Sequence, residues 1–188
     1  MSAASIIFAG FGGQGVLLMG YVMALAAMHS GKNVTYLPAY GAEVRGGTAN
    51  CTVVISDEEI ASPVAGTPDY LVVMNNPSMV RFGNAVRPGG AILANADLVE
   101  DTSGRPEVRE YRLAVSTLAH ELGEARSANM VMLGALVELS GLVELTVVQE
   151  SLAATALGRK PEVLELNRRA LSLGAERMRE ILEEEKGK

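Results

Sequence analysis

Short apolar runs broken by glycine, proline and acidic turns fill the first part of the chain, and helical spacing fills the rest. Ser5-Ile6-Ile7-Phe8-Ala9 is β-rich and bounded by glycine, which predicts a buried strand. Gln14 to Met28 is hydrophobic nearly all round, the pattern of a helix buried on most sides, and Gly31 stands where its cap belongs. Residues 33–37 and 49–55 predict the next two strands, with Pro38 to Thr48 as a loop between them. Ile60 to Val64 predicts a short strand paired to the third across an Asp57-Glu58-Glu59 turn. Tyr70 to Met74 and Ala91 to Asn95 read as buried strands, the second apolar nearly throughout, as parallel sheets require. Asn76 followed by Pro77 predicts the cap and first turn of a short helix. Glu107 to Val115 predicts a last strand. The remainder reads as helices starting at Ser127, near Thr146 and Gln149 (a capping-box spacing) and at Pro161, with a frayed tail from Glu183. In the last helix Val163, Leu164, Leu166, Leu171, Leu173, Met178 and Ile181 fall on the inward face. Strands alternating with helices predict an α/β layered fold with a mostly parallel sheet.

Composition narrows the class. The 188 residues are 48% hydrophobic and 20% charged, which fits one globular domain over 1–188, with 127–182 as a helical extension. A net charge of -6 without a basic cluster argues against a nucleic-acid partner. One cysteine excludes an intrachain disulfide and a four-cysteine iron–sulfur cluster, and it fits a reducing, cytoplasmic location. Met1 to Gly31 holds no Asp, Glu, Lys or Arg, yet its apolar stretch of 13 residues from Val16 spans only about 20 Å as a helix. A membrane core needs about 30 Å, so no membrane span is expected.

Three motifs carry candidate chemistry. Gly10-Phe11-Gly12-Gly13-Gln14-Gly15 matches G-x-G-x-x-G between a predicted strand and a predicted helix. Glycines there allow a tight turn and let a phosphate reach backbone N–H groups. The same glycines also serve simple close packing. A nicotinamide enzyme would carry an acidic residue at the end of the second strand, and no Asp or Glu lies between residues 16 and 42. The loop from Tyr40 to Cys51 brings Glu43, Arg45, Gly41, Gly46 and Gly47 together at the predicted ligand edge. Arg45 there can hold a phosphate or carboxylate in a bidentate grip, or simply pair with Glu43 on the surface. The third motif, Met74-Asn75-Asn76-Pro77-Ser78, reads first as a polar helix cap at a strand end. Cys51, His29, His120 and the Met130-Val131-Met132 run read as core or helix-end residues, with no metal-ligand spacing. The glycine turn in its setting predicts a three-layer, Rossmann-like fold with a mostly parallel or mixed sheet.

In this order and spacing the three motifs resemble the gamma subunit of 2-oxoacid:ferredoxin (or acceptor) oxidoreductases, from residue 5 to about 182. The resemblance implies a complex that converts a 2-oxoacid and coenzyme A to an acyl-CoA, carbon dioxide and reduced ferredoxin or another acceptor. It implies that thiamine diphosphate and its magnesium sit in alpha and beta subunits, and clusters in beta or ferredoxin-like delta subunits. It implies that the gamma chain holds no cofactor of its own, carries no catalytic residue and no metal, and is inactive alone. The ligand-side residues it implies, on the coenzyme A side, are Gly10, Gly12, Gly13, Gln14, Gly15, Tyr40, Gly41, Glu43, Arg45, Gly46, Gly47 and Thr48. The Arg45 to Cys51 form looks like 2-oxoglutarate and branched-chain 2-oxoacid members, with 2-oxoglutarate expected first. Ala39, Ala42 and Asn76 depart from the common Ser, Pro and Gln. The competing reading is a stand-alone nucleotide-binding protein for NAD(P) or a flavin, resting on the glycine turn alone.

Overall fold

In the computed structural model, which describes residues 3–40 and 48–187, the chain builds an α/β sandwich around one twisted sheet. Among the described residues there are six strands: β1 (Ala4–Phe11), β2 (Asn33–Tyr40), β3 (Thr48–Ser56), β4 (Tyr70–Val73), β5 (Ala91–Asn95) and β6 (Arg109–Leu113). The helices are α1 (Val16–His29), α2 (Asn76–Phe82), α3 (Val115–Glu121), α4 (Ala128–Ser140), α5 (Leu145–Ser151) and α6 (Pro161–Lys186). The strand order is β2-β3-β1-β4-β5-β6. β1 pairs in parallel with β4, β4 with β5 and β5 with β6. β3 runs antiparallel to both β1 and β2. The sheet is therefore mixed, one of the two expected forms, with only β3 opposing the other five strands.

One face of the sheet carries the larger core. Ile6, Phe8, Cys51, Val53 and Leu93 meet α1 and α4 there, and α6 closes over α4. Gly20 lets α1 approach closely, since a methyl group at this position would stand 2.4 Å from Cys51 Sγ. Tyr36 Oη donates to the Leu17 carbonyl at 3.1 Å and ties β2 to the same helix. α1 ends in a glycine cap. Gly31 has φ 76°, its N–H bonds the Met28 carbonyl, and Lys32 N–H bonds Ala27. The opposite face is thinner, with Ile7, Leu71, Val73 and Ile92 covered by Met79 of α2 and by Val86, Val99 and Val108.

α4 is buried on nearly every side, as its all-round apolar sequence requires. Its contact with α6 is backbone to backbone. A methyl at Gly134 would lie 2.0 Å from the Leu171 carbonyl oxygen, and one at Gly174 would lie 1.8 Å from that of Val131. The inward line of α6 thus runs through Ala170, Leu171, Gly174, Ala175 and Met178, while Val163, Leu164, Leu166, Leu173 and Ile181 are half-buried beside it.

Several expectations need correction. Ile60 to Val64 forms no strand; β1 occupies the inner edge of β3 and β2 the outer, so neither edge is left for it. Residues Pro38 to Tyr40 extend β2 instead of opening a loop, because β2 is an edge strand where proline need not supply a ladder N–H. The last strand is shorter than Glu107 to Val115, since Val115 already begins α3. Asn75, not Asn76, caps α2, accepting the Ser78 N–H at 2.9 Å. Thr146 and Gln149 form no capping box: α5 starts from Glu144, and the Gln149 amide donates to Ser172 Oγ at 2.9 Å. The tail from Glu183 stays helical to Lys186.

Candidate ligand site at the carboxyl edge of the sheet

Five strands end on one edge of the sheet, and β3 begins there. Open α/β sheets bind ligands just outside this edge. β1 carries its pairing through Gly10 and Phe11, opposite Ala49 and Thr48. The chain then turns through Gly12 and Gly13 into α1, and the Gln14 N–H bonds the Phe11 carbonyl at 3.2 Å.

The glycines differ in what they do. At Gly10 a methyl would meet Gln14 Oε1 at 2.7 Å, Val16 at 2.8 Å and Met74 at 3.0 Å, so this position serves packing. Gly15 caps α1 with φ 74°, and a methyl there would stand 2.2 Å from Asn129 Nδ2. Among the described residues nothing lies within 4 Å of the space a side chain would take at Gly12 or Gly13. These two positions are open to an approaching ligand. The first-turn N–H groups of α1 lack intrahelical acceptors, as in every helix, and no side chain among the described residues caps them. They suit an anion. At α3 the corresponding groups are already taken. Asp97 accepts Ser116 N–H at 2.8 Å and Thr117 N–H at 3.0 Å.

Gln14 holds the turn in place. Its Oε1 accepts the Phe11 N–H at 2.7 Å, and its Nε2 donates to the Met74 carbonyl at 2.9 Å. The side chain thereby bridges the ends of β1 and β4. Asn129 supports the other side, with Nδ2 donating to the Gly15 carbonyl at 3.4 Å. A cavity of about 240 Å³ opens beside the turn, against Gly13, Gln14, Met74, Asn95, Ser116 and Asn129. Asn95 is fully buried and donates to Ser116 Oγ at 2.9 Å.

Of the predicted site residues, the structure brings Gly10, Gly12, Gly13, Gln14 and Gly15 into one turn, with Thr48 beside its base. Thr48 Oγ1 accepts from Arg81 Nη1 at 3.2 Å. The Tyr40 backbone pairs with Ala49 at the end of β2, so Tyr40 and Thr48 flank the intervening segment on this edge. Gly41, Glu43, Arg45, Gly46 and Gly47 lie outside the described residues. Asn95, Ser116 and Asn129 line the cavity and were not singled out from the sequence. Asn95 ends an apolar strand at the ligand edge, which was a readable signal. Ser116 and Asn129 join only through tertiary packing. Asn76, expected as a cap, instead accepts the Glu100 and Asp101 N–H groups at 3.0 and 2.9 Å and pins that loop across the edge.

Cys51 is fully buried among apolar side chains, and burial pushes its thiol from 9.0 up to about 12. It is a neutral core group rather than a thiolate ligand. The residues at the turn fit a phosphate, through glycine positions and first-turn helix N–H groups that have no partner among the described residues.

Residues 5–177 match the family model described as pyruvate ferredoxin/flavodoxin oxidoreductase. The ketoisovalerate oxidoreductase subunit VorA of Methanothermobacter thermautotrophicus is 43% identical over 179 residues, covering 94% of this chain and 37% of the relative. This chain thus spans little more than a third of that relative's length. The 2-oxoglutarate synthase subunit KorC of Methanocaldococcus jannaschii is 34% identical and covered over 94% of both chains. Among solved structures, the gamma subunit of a keto/oxoacid ferredoxin oxidoreductase from Geobacter sulfurreducens matches with TM-score 0.79 at 31% identity, over 93% of this chain and 98% of that one. A 2-oxoglutarate:ferredoxin oxidoreductase from Magnetococcus marinus, solved with 2-oxoglutarate, coenzyme A and succinyl-CoA, matches with TM-score 0.86 at 28% identity, over 95% of this chain and 31% of that one. No helix among the described residues is long and apolar enough to cross a membrane. With the family model, relatives and solved gamma subunits in agreement along nearly the whole chain, the protein belongs to the pyruvate ferredoxin/flavodoxin oxidoreductase family, as a chain of the gamma-subunit type.

Proposed function

We propose that this chain is the gamma component of a multisubunit 2-oxoacid:ferredoxin oxidoreductase of the cytoplasm. The complex takes a 2-oxoacid and coenzyme A to an acyl-CoA and carbon dioxide, and passes two electrons to ferredoxin or another acceptor. Partner alpha and beta subunits and a ferredoxin-like delta subunit hold thiamine diphosphate, magnesium and the iron–sulfur clusters. A chain with one cysteine, fully buried, cannot supply a four-thiolate cluster itself.

This chain binds and orients rather than reacts. The observation that carries the reading is the open glycine turn at the start of α1, on a chain of this family. The N–H groups around Gly12, Gly13 and Gly15 would hold a phosphate of coenzyme A, with Gln14 keeping the turn in position. The flanking segment from Tyr40 to Thr48, including Gly41, Glu43, Arg45, Gly46 and Gly47, would supply the remaining contacts, Arg45 as the cation. No proton transfer or covalent step falls to these residues.

For the substrate, a branched-chain 2-oxoacid stands first, on 43% identity to the ketoisovalerate relative. This moves the expectation of 2-oxoglutarate to second place, where the Magnetococcus likeness supports it. Anaerobic affinity purification of the tagged chain from its native host, with mass spectrometry of co-purifying proteins, tests the subunit assignment. The expected result is a thiamine diphosphate subunit pair and a ferredoxin-like polypeptide. Recovery of the chain alone would sink it. The ratio of kcat/KM for 2-oxoisovalerate and 2-oxoglutarate on the recovered complex then fixes the substrate.

A further inference from the structure

A second cavity, of about 310 Å³, lies where the first turns of three long helices converge. Leu18 comes from the first turn of α1, Ser127 and Asn129 from the start of α4, and Lys160 and Val163 from the start of α6. Leu157 and Leu166 complete an apolar wall with Leu18 and Val163. Two polar side chains lining it are more than nine-tenths buried yet incompletely bonded. Ser127 is 2% exposed, and its hydroxyl makes no cap bond and has no partner among the described residues. Asn167 is 6% exposed. Its Nδ2 donates to the Val163 carbonyl at 2.7 Å, which fixes the amide orientation, and its Oδ1 has no donor among the described residues. Neither oxygen is sealed from solvent: the enclosed orphan atoms among the described residues are Thr35 Oγ1 and Ser78 Oγ, so Ser127 Oγ and Asn167 Oδ1 are open to water or to a ligand. At the rim Lys160 is without an ion-pair partner among the described residues, whereas Arg126 and Glu124 neutralise each other.

We infer that this cavity binds a small aliphatic α-amino acid. The unsatisfied groups form a complementary set. Lys160 and Ser127 Oγ take a carboxylate, and three helix N-termini favour that charge. Asn167 Oδ1 can only accept, so it takes a hydrogen-bond donor beside the carboxylate, as an α-ammonium provides. The leucine and valine wall takes the aliphatic side chain. A cavity near 300 Å³ is at the small end of ligand sites and suits such a molecule. A 2-oxoacid of the same skeleton is excluded by the same atom, because its keto oxygen would face the Asn167 carbonyl oxygen without a hydrogen between them. The cavity is therefore separate in specificity from the phosphate-type turn. Its floor still touches that turn, since Asn129 lines both cavities and bonds Gly15. The inference does not depend on the assignment of the chain to a complex.

Calorimetric titration of the 188-residue chain tests it, with L-leucine and L-valine as one set of probes and 4-methyl-2-oxopentanoate as the contrast. Saturable binding is expected for an amino acid and none for the oxoacid. Lys160→Gln alters an exposed residue and leaves the fold intact, and it should weaken binding by roughly tenfold or more, the scale of one charged hydrogen bond. Asn167→Ala should do the same, with circular dichroism confirming its fold. Equal binding of the oxoacid would overturn the inference, as would unchanged affinity in Lys160→Gln. So would the lack of a saturable signal at ~10 mM amino acid, beyond the weak end of specific binding.

Discussion

A side-chain amide can stand in for backbone pairing where a chain leaves a sheet, and Gln14 does so between β1 and β4. Its neighbours divide into supports and openings, and substitutions should separate the two. Gly15→Ala forces a methyl onto a left-handed backbone and into Asn129. It should cost about 2 kcal/mol or more of stability, read as a lowered urea midpoint. Gly12→Ala meets nothing within 4 Å among the described residues, and its φ is not positive. Stability should stay within about 0.5 kcal/mol of the parent, while the KM of the complex for coenzyme A rises. Equal effects of both changes on stability would contradict the division. The consensus glycines were legible as a motif, but their separate roles were not, because Met74 and Asn129 reach the turn from distant parts of the chain. Cys51 offers a pH test. Its thiol is raised from 9.0 to about 12, so the folded state keeps it neutral where an unfolded chain ionises. The resulting stabilisation is fully present below pH 9 and is lost as pH climbs towards 12. Iodoacetamide at pH 9 should label the unfolded chain and spare the native one.

At the level of elements, pattern and tertiary packing contributed unequally. The apolar runs of β4 and β5 and the all-round apolar α1 and α4 follow from hydrophobicity alone. The extension of β2 through Pro38 does not, because proline reads as a break until the strand is known to lie at an edge. The spacing of Thr146 and Gln149 imitates a cap, yet Gln149 is drawn away to α6. The close crossing of α4 and α6 was also hidden, since Gly134 and Gly174 weaken helix propensity locally and only their partners explain them. This crossing gives a strong expectation. Gly174→Ala places a methyl 1.8 Å from the Val131 oxygen, and two backbones must separate to admit it. A loss of about 3 kcal/mol is expected, and the purified variant should show an earlier thermal transition. Ser172→Ala, two residues away, removes only the hydroxyl that accepts from Gln149, and should cost about 1 kcal/mol.

For the whole molecule, the reversal of β3 decides which segments share the edge that carries the glycine turn. Because β3 alone opposes the other strands, the end of β2 and the start of β3 lie on the same edge as the glycine turn. Two stretches separated by about thirty residues of sequence thereby flank one space, and a single ligand can draw on both. The motif order was visible in the chain, whereas this juxtaposition required the antiparallel pairing. A double-mutant cycle on the assembled complex makes the consequence measurable. Gly12→Ala and Arg45→Ala are each expected to raise the KM for coenzyme A while leaving kcat for the bound complex near its original value. If both positions hold the same ligand, the double variant should depart from additivity by about 0.5 kcal/mol or more. Independent sites more than about 10 Å apart would instead add within roughly 0.5 kcal/mol. Strict additivity would therefore place Arg45 away from the ligand at the turn and confine the proposed coenzyme A contact to the glycine turn.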